Sequence, residues 1–271
     1  MEQTGIRKLW DIVNPFVGIL LCMLGATMIG TMVFGLLTGL NGLNNELLLE
    51  LFPWLSLLIT LICCVLTMVI MRKSMQYDQI RFGFDRQDWK AGKYVCSAVL
   101  GAAAGHLWST MIYAAGIPRM FTGYEETALR AFEGQPVPLV FLTTVIAAPV
   151  AEEMVFRFMI YRRAKNYYGA IAATVISAVL FGIYHANAVQ FIYGIGFSVL
   201  LILLYEKSGN IFAPIIAHAG ANLWAILLDV FLPEYSRSIC IPMFAAEIVI
   251  TGVLAGVLFP KKTLPVSKKK L

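Results

Sequence analysis

Long apolar runs dominate the chain. Eight of them approach the ~20 residues a helix needs to cross the hydrocarbon of a bilayer. They lie at about 15–37, 51–71, 94–115, 138–160, 170–187, 189–205, 211–230 and 240–259. The pattern predicts an all-α, polytopic membrane helical bundle of about eight transmembrane helices. Only a few residues around Asn187 separate the fifth run from the sixth, so a tight hairpin or one broken element fits there equally. The first run exceeds the ~7–15 apolar residues of a secretory signal and no A-x-A-like site follows it, so it is read as a span.

Composition agrees. Of 271 residues, 59% are hydrophobic and 14% charged, against roughly 45–50% and about 25% in soluble domains. Mean hydropathy is +0.76. A disordered chain, a disulfide-stapled secreted module and a nucleic-acid binder with a broad basic face are excluded. The net charge of +5 is unevenly placed. Arg7, Lys8, the 72–93 loop, Arg162, Arg163, Lys165, Lys207 and the lysine tail fall on one side of the spans, which collects 17 of the 21 basic residues. The positive-inside rule makes that side, with both termini, cytoplasmic. The charge is topology signal plus attraction to anionic lipid, and no nucleic-acid partner is implied. Cys22, Cys63, Cys64, Cys96 and Cys240 all lie in or beside spans without a C-x-x-C pair. Residues 1–271 read as a single membrane domain: spans and loops over 1–135, a core over 136–230, and a last span with its basic tail over 231–271. The cytoplasmic loop near 72–93 suits an interfacial segment, and the outer loop near 116–137 holds a short helix in YEETALRAFEG that serves as a connector.

Polar residues inside spans carry the chemistry, because a charged group at mid-span costs on the order of 2.5–3.5 kcal/mol on insertion scales. The fourth span contains Glu152, Glu153 and Arg157. Glu153 and Arg157 are i, i+4 with the acid first, the favourable order for a helical ion pair. Glu152 is left over, a carboxylate able to act as a general base. In the fifth span Phe181 and His185 share a face, and in the seventh His218 and Asn222 do, with small residues between the latter two. Small residues let another backbone approach, so this face is read either as a packing groove or as a bed for an extended peptide. With span ends at 160, 170 and 211, Glu152, His218 and Asn222 lie ~12, ~10 and ~16 Å deep, but His185 comes out at ~22 Å.

These three pairings, E-E-x-x-x-R, F-x-x-x-H and H-x-x-x-N in that order on separate spans, resemble the CAAX protease and bacteriocin-processing (CPBP, or Abi) family of intramembrane endopeptidases. The resemblance covers roughly 138–230. It implies an eight-helix membrane fold and peptide-bond hydrolysis. Glu152 would activate a water, with His185 holding or relaying its proton. His218 and Asn222 would donate to the oxyanion, and Glu153, Arg157 and Phe181 would support the site. The expected substrate is a membrane-associated peptide or protein, cut in the cytoplasmic half of the bilayer, with the bacterial inner membrane as the expected location.

Other intramembrane proteases fit less well. H-E-x-x-H is absent, G-x-G-D is absent, and Ser177 lies ~12 Å along the helix from His185. Glu152, His185 and His218 form a His2Glu set adequate for catalytic Zn2+, but the i+4 partner of His218 is Asn222, a poor zinc ligand. A cofactor-free glutamate mechanism is therefore expected, with Zn2+ as the alternative. His106 is read as a packing contact and Asp229 as an interfacial residue. Glu247 has three readings: a pair with His106, a pair with Arg157, or a place on a water path. A non-catalytic scaffold of the same fold and a proton-coupled transporter are the competing functions. The first has no reason to bear four buried polar groups, and the second lacks matched Gly/Pro-broken spans in two halves.

Overall fold

A computed structural model describes residues 4–41, 45–83, 89–121, 123–124, 135–232 and 240–260. Helices account for nearly all of them, and no strand occurs among the described residues. We number them α1 (Gly5–Asn41), α2 (Asn45–Phe82), α3 (Ala91–Ala114), α4 (137–168), α5 (170–184), α6 (Ala188–Ser208), α7 (Phe212–Phe231) and α8 (Ile241–Leu258). Seven helices among the described residues are long and apolar enough to cross a membrane, α4 and α5 being counted as one run, Val137–Tyr184. The protein is an integral, multi-pass membrane protein. The two arms of that run are separate because Gly169 adopts φ 80, ψ 173, a backbone state that only glycine enters without cost.

Two helix ends differ from the sequence pattern. Apolarity fades near residue 71, but α2 continues as helix to Phe82, so most of the expected 72–93 loop is helical. Likewise α4 runs past residue 160 to 168. Both extensions hold because their polar residues bind one another. Arg163 Nε donates to Asp78 Oδ2 at 2.7 Å and its Nη2 to Ser74 Oγ at 2.7 Å. Arg81 Nη1 meets Asp11 Oδ2 at 2.7 Å, and Tyr167 Oη donates to the same oxygen at 2.6 Å. This network ties α1, α2 and α4 together at the basic end of the bundle. The segment YEETALRAFEG and the lysine tail lie largely or wholly outside the described residues.

The core is built on α4. Phe156, Phe158, Met159, Ile160 and Tyr161 are almost wholly buried, packed by Ile12, Phe16 and Ile19 of α1 and by Met71 and Met75 of α2. On the other side α3 and α7 pack backbone to backbone. A Cβ on Gly101 would fall 1.9 Å from the Ala217 carbonyl oxygen, and one on Gly220 would fall 2.3 Å from that of Ala98. The small residues around His218 thus serve a helix-packing groove, and its occupant is α3.

Candidate active site

Helix α4 presents Glu152, Glu153 and Arg157 from a stretch that departs from regular α-helix on both sides. Residues Phe141–Ala147 and Met154–Tyr161 are π-helical, a geometry that recurs at functional sites. The first π turn accommodates Pro149. Ala148 N–H donates to the Thr143 carbonyl, five residues back. In that register the Thr144 carbonyl would await the N–H of residue 149, which a proline lacks. Asn222 Nδ2 donates to the Thr144 carbonyl instead, at 2.8 Å.

Glu153 is fully buried and shared. Its Oε1 accepts from Arg157 Nη1 at 2.8 Å and meets His218 Nδ1 at 2.8 Å. Arg157, also fully buried, donates through Nη2 to Ser198 Oγ of α6 at 2.9 Å and stacks 4.3 Å above the Phe181 ring. An ionised carboxylate only accepts, so Nδ1 of His218 carries a proton and its Nε2 is turned the other way. Nε2 stands 3.8 Å from Glu152 Oε2. That separation is too long for a direct hydrogen bond and suits a bridging water. Glu152 makes no hydrogen bond to the described residues. It opens instead onto a cavity of about 360 Å³ walled by α1 and α2.

His185 lies in the turn between α5 and α6. Its Nδ1 is 2.8 Å from the Phe181 carbonyl oxygen, which fixes that nitrogen as the donor and leaves Nε2 free to accept. The next residue, Ala186, is held at φ 51, and Asn187 then caps α6 by accepting from Val189 and Gln190 N–H. The Phe181 ring touches both imidazoles, 4.8 Å from that of His185 and 5.9 Å from that of His218. The depth mismatch for His185 disappears once the extension of α4 is counted. Measured from the Gly169 break, Glu152 lies ~24 Å along α4 and His185 ~22 Å along α5.

Glu152, Glu153, Arg157, Phe181, His185 and His218 therefore form one connected cluster. Asn222 stands a turn away on α7, bound to the α4 backbone. Among the described residues no three His, Cys, Asp or Glu groups are placed to hold a metal ion. His106 is more than a packing contact: its Nδ1 is 2.7 Å from Glu247 Oε1, which settles the partner of Glu247. Four participants were not singled out from sequence as part of the site. Ser198 holds Arg157, Tyr184 lines the Glu152 cavity, and Cys63 and Cys64 line its α2 wall. Serine inside an apolar helix was the available sign for the first.

Residues 134–224 match the family described as type II CAAX prenyl endopeptidase Rce1-like. The chain is 26% identical over 176 residues to a Bacillus subtilis protein named putative membrane peptidase YdiL, covering 63% of this chain and 70% of that protein. It is 25% identical over 147 residues to the UPF0177 protein YbdI of Lactococcus lactis, covering 53% and 77%. It is also 37% identical over 90 residues to the uncharacterized protein YpbD of Bacillus subtilis, covering 33% and 44%. No solved structure matches.

Proposed function

We propose, from the match of residues 134–224 to the Rce1-like type II CAAX prenyl endopeptidase family, that this chain is an endopeptidase that hydrolyses a peptide bond within the bilayer by a water activated at Glu152. The observation that carries the reading is the contrast between the adjacent acids. Glu153 is neutralised by Arg157 and bound to His218, whereas Glu152 has no hydrogen-bond partner among the described residues and faces the cavity.

In this scheme a water between Glu152 Oε2 and His218 Nε2 gives a proton to Glu152 as its oxygen adds to the substrate carbonyl. His218 is here the imidazolium, with Nδ1–H donated to Glu153 and a second proton on Nε2 that donates to the oxyanion that forms and stays on the ring. Asn222 has one amide hydrogen beyond the one given to Thr144 and serves as the second donor. The proton on Glu152 then passes to the leaving amine, with His185 Nε2 as its relay, and the C–N bond breaks. The bacterial inner membrane is the proposed location, and a membrane-associated peptide or protein the proposed substrate.

The test compares membranes carrying wild type with membranes carrying Glu152→Gln by mapping new peptide termini. At least one cleavage product is expected to vanish, and the purified variant should lose at least ~100-fold in turnover at unchanged thermal stability, in line with removal of a general base. Identical termini in both membranes would sink the assignment. Wild-type activity should also withstand a chelator, since no step uses a metal. Loss on chelation with recovery on added Zn2+ would replace this mechanism with a zinc one.

A further inference from the structure

The cavity at Glu152 has a direction. Asp11, Asp78 and Arg163 touch one another (Arg163 Nη1–Asp11 Oδ1 3.6 Å, Arg163 Nε–Asp78 Oδ2 2.7 Å), so they mark one level on α1, α2 and α4. Counted along the helices from that level, Glu152 lies ~16 Å in, Met23 ~18 Å and Cys64 ~21 Å. Phe34 and Leu55, at the other end of the cavity, both lie ~35 Å in. The hydrocarbon is ~30 Å thick, so the cavity begins at mid-membrane and extends away from the basic face. Between Glu152 and that face the bundle is closed by Phe16, Ile19, Met71, Met75, Phe156 and Phe158, each 9% exposed or less.

The lining also selects what can enter. Its hydroxyls belong to Thr27, Thr31, Ser56, Thr60 and Tyr184, and the first four each donate to a carbonyl of their own helix at about 3 Å. Those four have no proton to offer an occupant, which leaves Tyr184 as the one hydroxyl donor among the described lining residues. Glu152 is the single charged residue among the described lining residues. Thr27, Thr31 and Thr60 are themselves exposed on the outer surface of the bundle, so the cavity opens sideways.

We propose that the substrate reaches Glu152 laterally, between α1 and α2, from the half of the bilayer opposite the basic face, as an uncharged apolar peptide stretch. The positive-inside rule makes that half the non-cytoplasmic one, which reverses the side expected from sequence. The proposal rests on the hydrolytic reading above for what happens at Glu152, but its geometry can be tested without any cleavage.

The five cysteines are replaced by alanine, and either Thr31→Cys or Lys207→Cys is introduced. Intact cells are then treated with a charged, membrane-impermeant methanethiosulfonate. Thr31→Cys is expected to react in intact cells and Lys207→Cys only after lysis. Reaction of Thr31→Cys only after lysis, or not at all, overturns the proposal. In a second arm the purified Thr31→Cys protein is modified with a bulky thiol reagent. Cleavage should fall at least ten-fold relative to the same protein unmodified, while modification at Lys207→Cys changes nothing. Undiminished cleavage by the modified Thr31→Cys protein overturns the entry path and leaves hydrolysis standing. Absence of cleavage in the wild type overturns the hydrolytic reading, and the labelling arm still decides which face the cavity serves.

Discussion

Arg157 is the residue on which the cluster's electrostatics turn. Its guanidinium is fully buried and reaches three groups at once: the Glu153 carboxylate, the Ser198 hydroxyl and the Phe181 ring. Removing one member of a buried ion pair strands the other charge and typically costs about 3–5 kcal/mol. Arg157→Leu should therefore unfold at markedly lower temperature in detergent, by a loss of that order. Arg157→Lys keeps the charge but lacks the fork that spans Glu153 and Ser198, so its melting temperature should fall between those of Arg157→Leu and wild type. Equal melting of Arg157→Leu and wild type would show that Glu153 needs no counter-charge. The Glu153–Arg157 pair was readable because i, i+4 spacing on one helix fixes proximity. The second partner of Glu153 was not. His218 lies on another span, and spacing along the chain says nothing about which faces of two distant helices meet.

At the scale of helices, Asn222 shows how a candidate catalytic residue also acts in folding. Pro149 deprives the Thr144 carbonyl of a backbone donor, and Asn222 supplies one. A buried acceptor left without a partner costs about 1–3 kcal/mol. Asn222→Ala should accordingly lose stability by that amount as well as activity. The two effects can be separated. Pro149→Ala restores an N–H at residue 149, so Asn222→Ala should cost less in melting temperature on the Pro149→Ala background than in the wild type. Its effect on turnover, if it is an oxyanion donor, should stay near the ~2.7–4 kcal/mol such donors contribute. Additive losses of stability would mean that the π turn does not place Thr144 as described. The helices themselves were legible as apolar runs. Their ends were not, because α2 and α4 continue as helix where hydropathy stops, held by Asp11, Asp78, Arg81 and Arg163. That extension is also why His185 looked too deep.

Across the whole molecule, burial is uneven. The middle of α4, from Ala151 to Ala164, is almost wholly enclosed, whereas α8 has only Glu247 and Leu258 buried and otherwise presents its apolar surface outward. Lipid is as apolar as the side chains of α8, so no hydrophobic force presses it onto the bundle. What fixes it is packing against α3 and the hydrogen bond between Glu247 and His106, both nearly buried. Glu247 Oε2 and the Thr251 hydroxyl beside it have no partner among the described residues, so the pair is an incompletely satisfied polar contact. Replacing a buried polar pair by apolar side chains is often neutral, whereas removing one member strands the other. Three variants separate these cases. His106→Leu leaves the Glu247 carboxylate facing hydrocarbon and should be the most destabilised in thermal unfolding. Glu247→Leu leaves a neutral imidazole short of one hydrogen bond and should lose less, about 1–3 kcal/mol. The double variant should recover most of the loss caused by His106→Leu, because neither group is then left alone. A double variant as unstable as the sum of the singles would mean that the two residues act on the fold independently. The 2.7 Å contact would then contribute nothing to holding α8 in place.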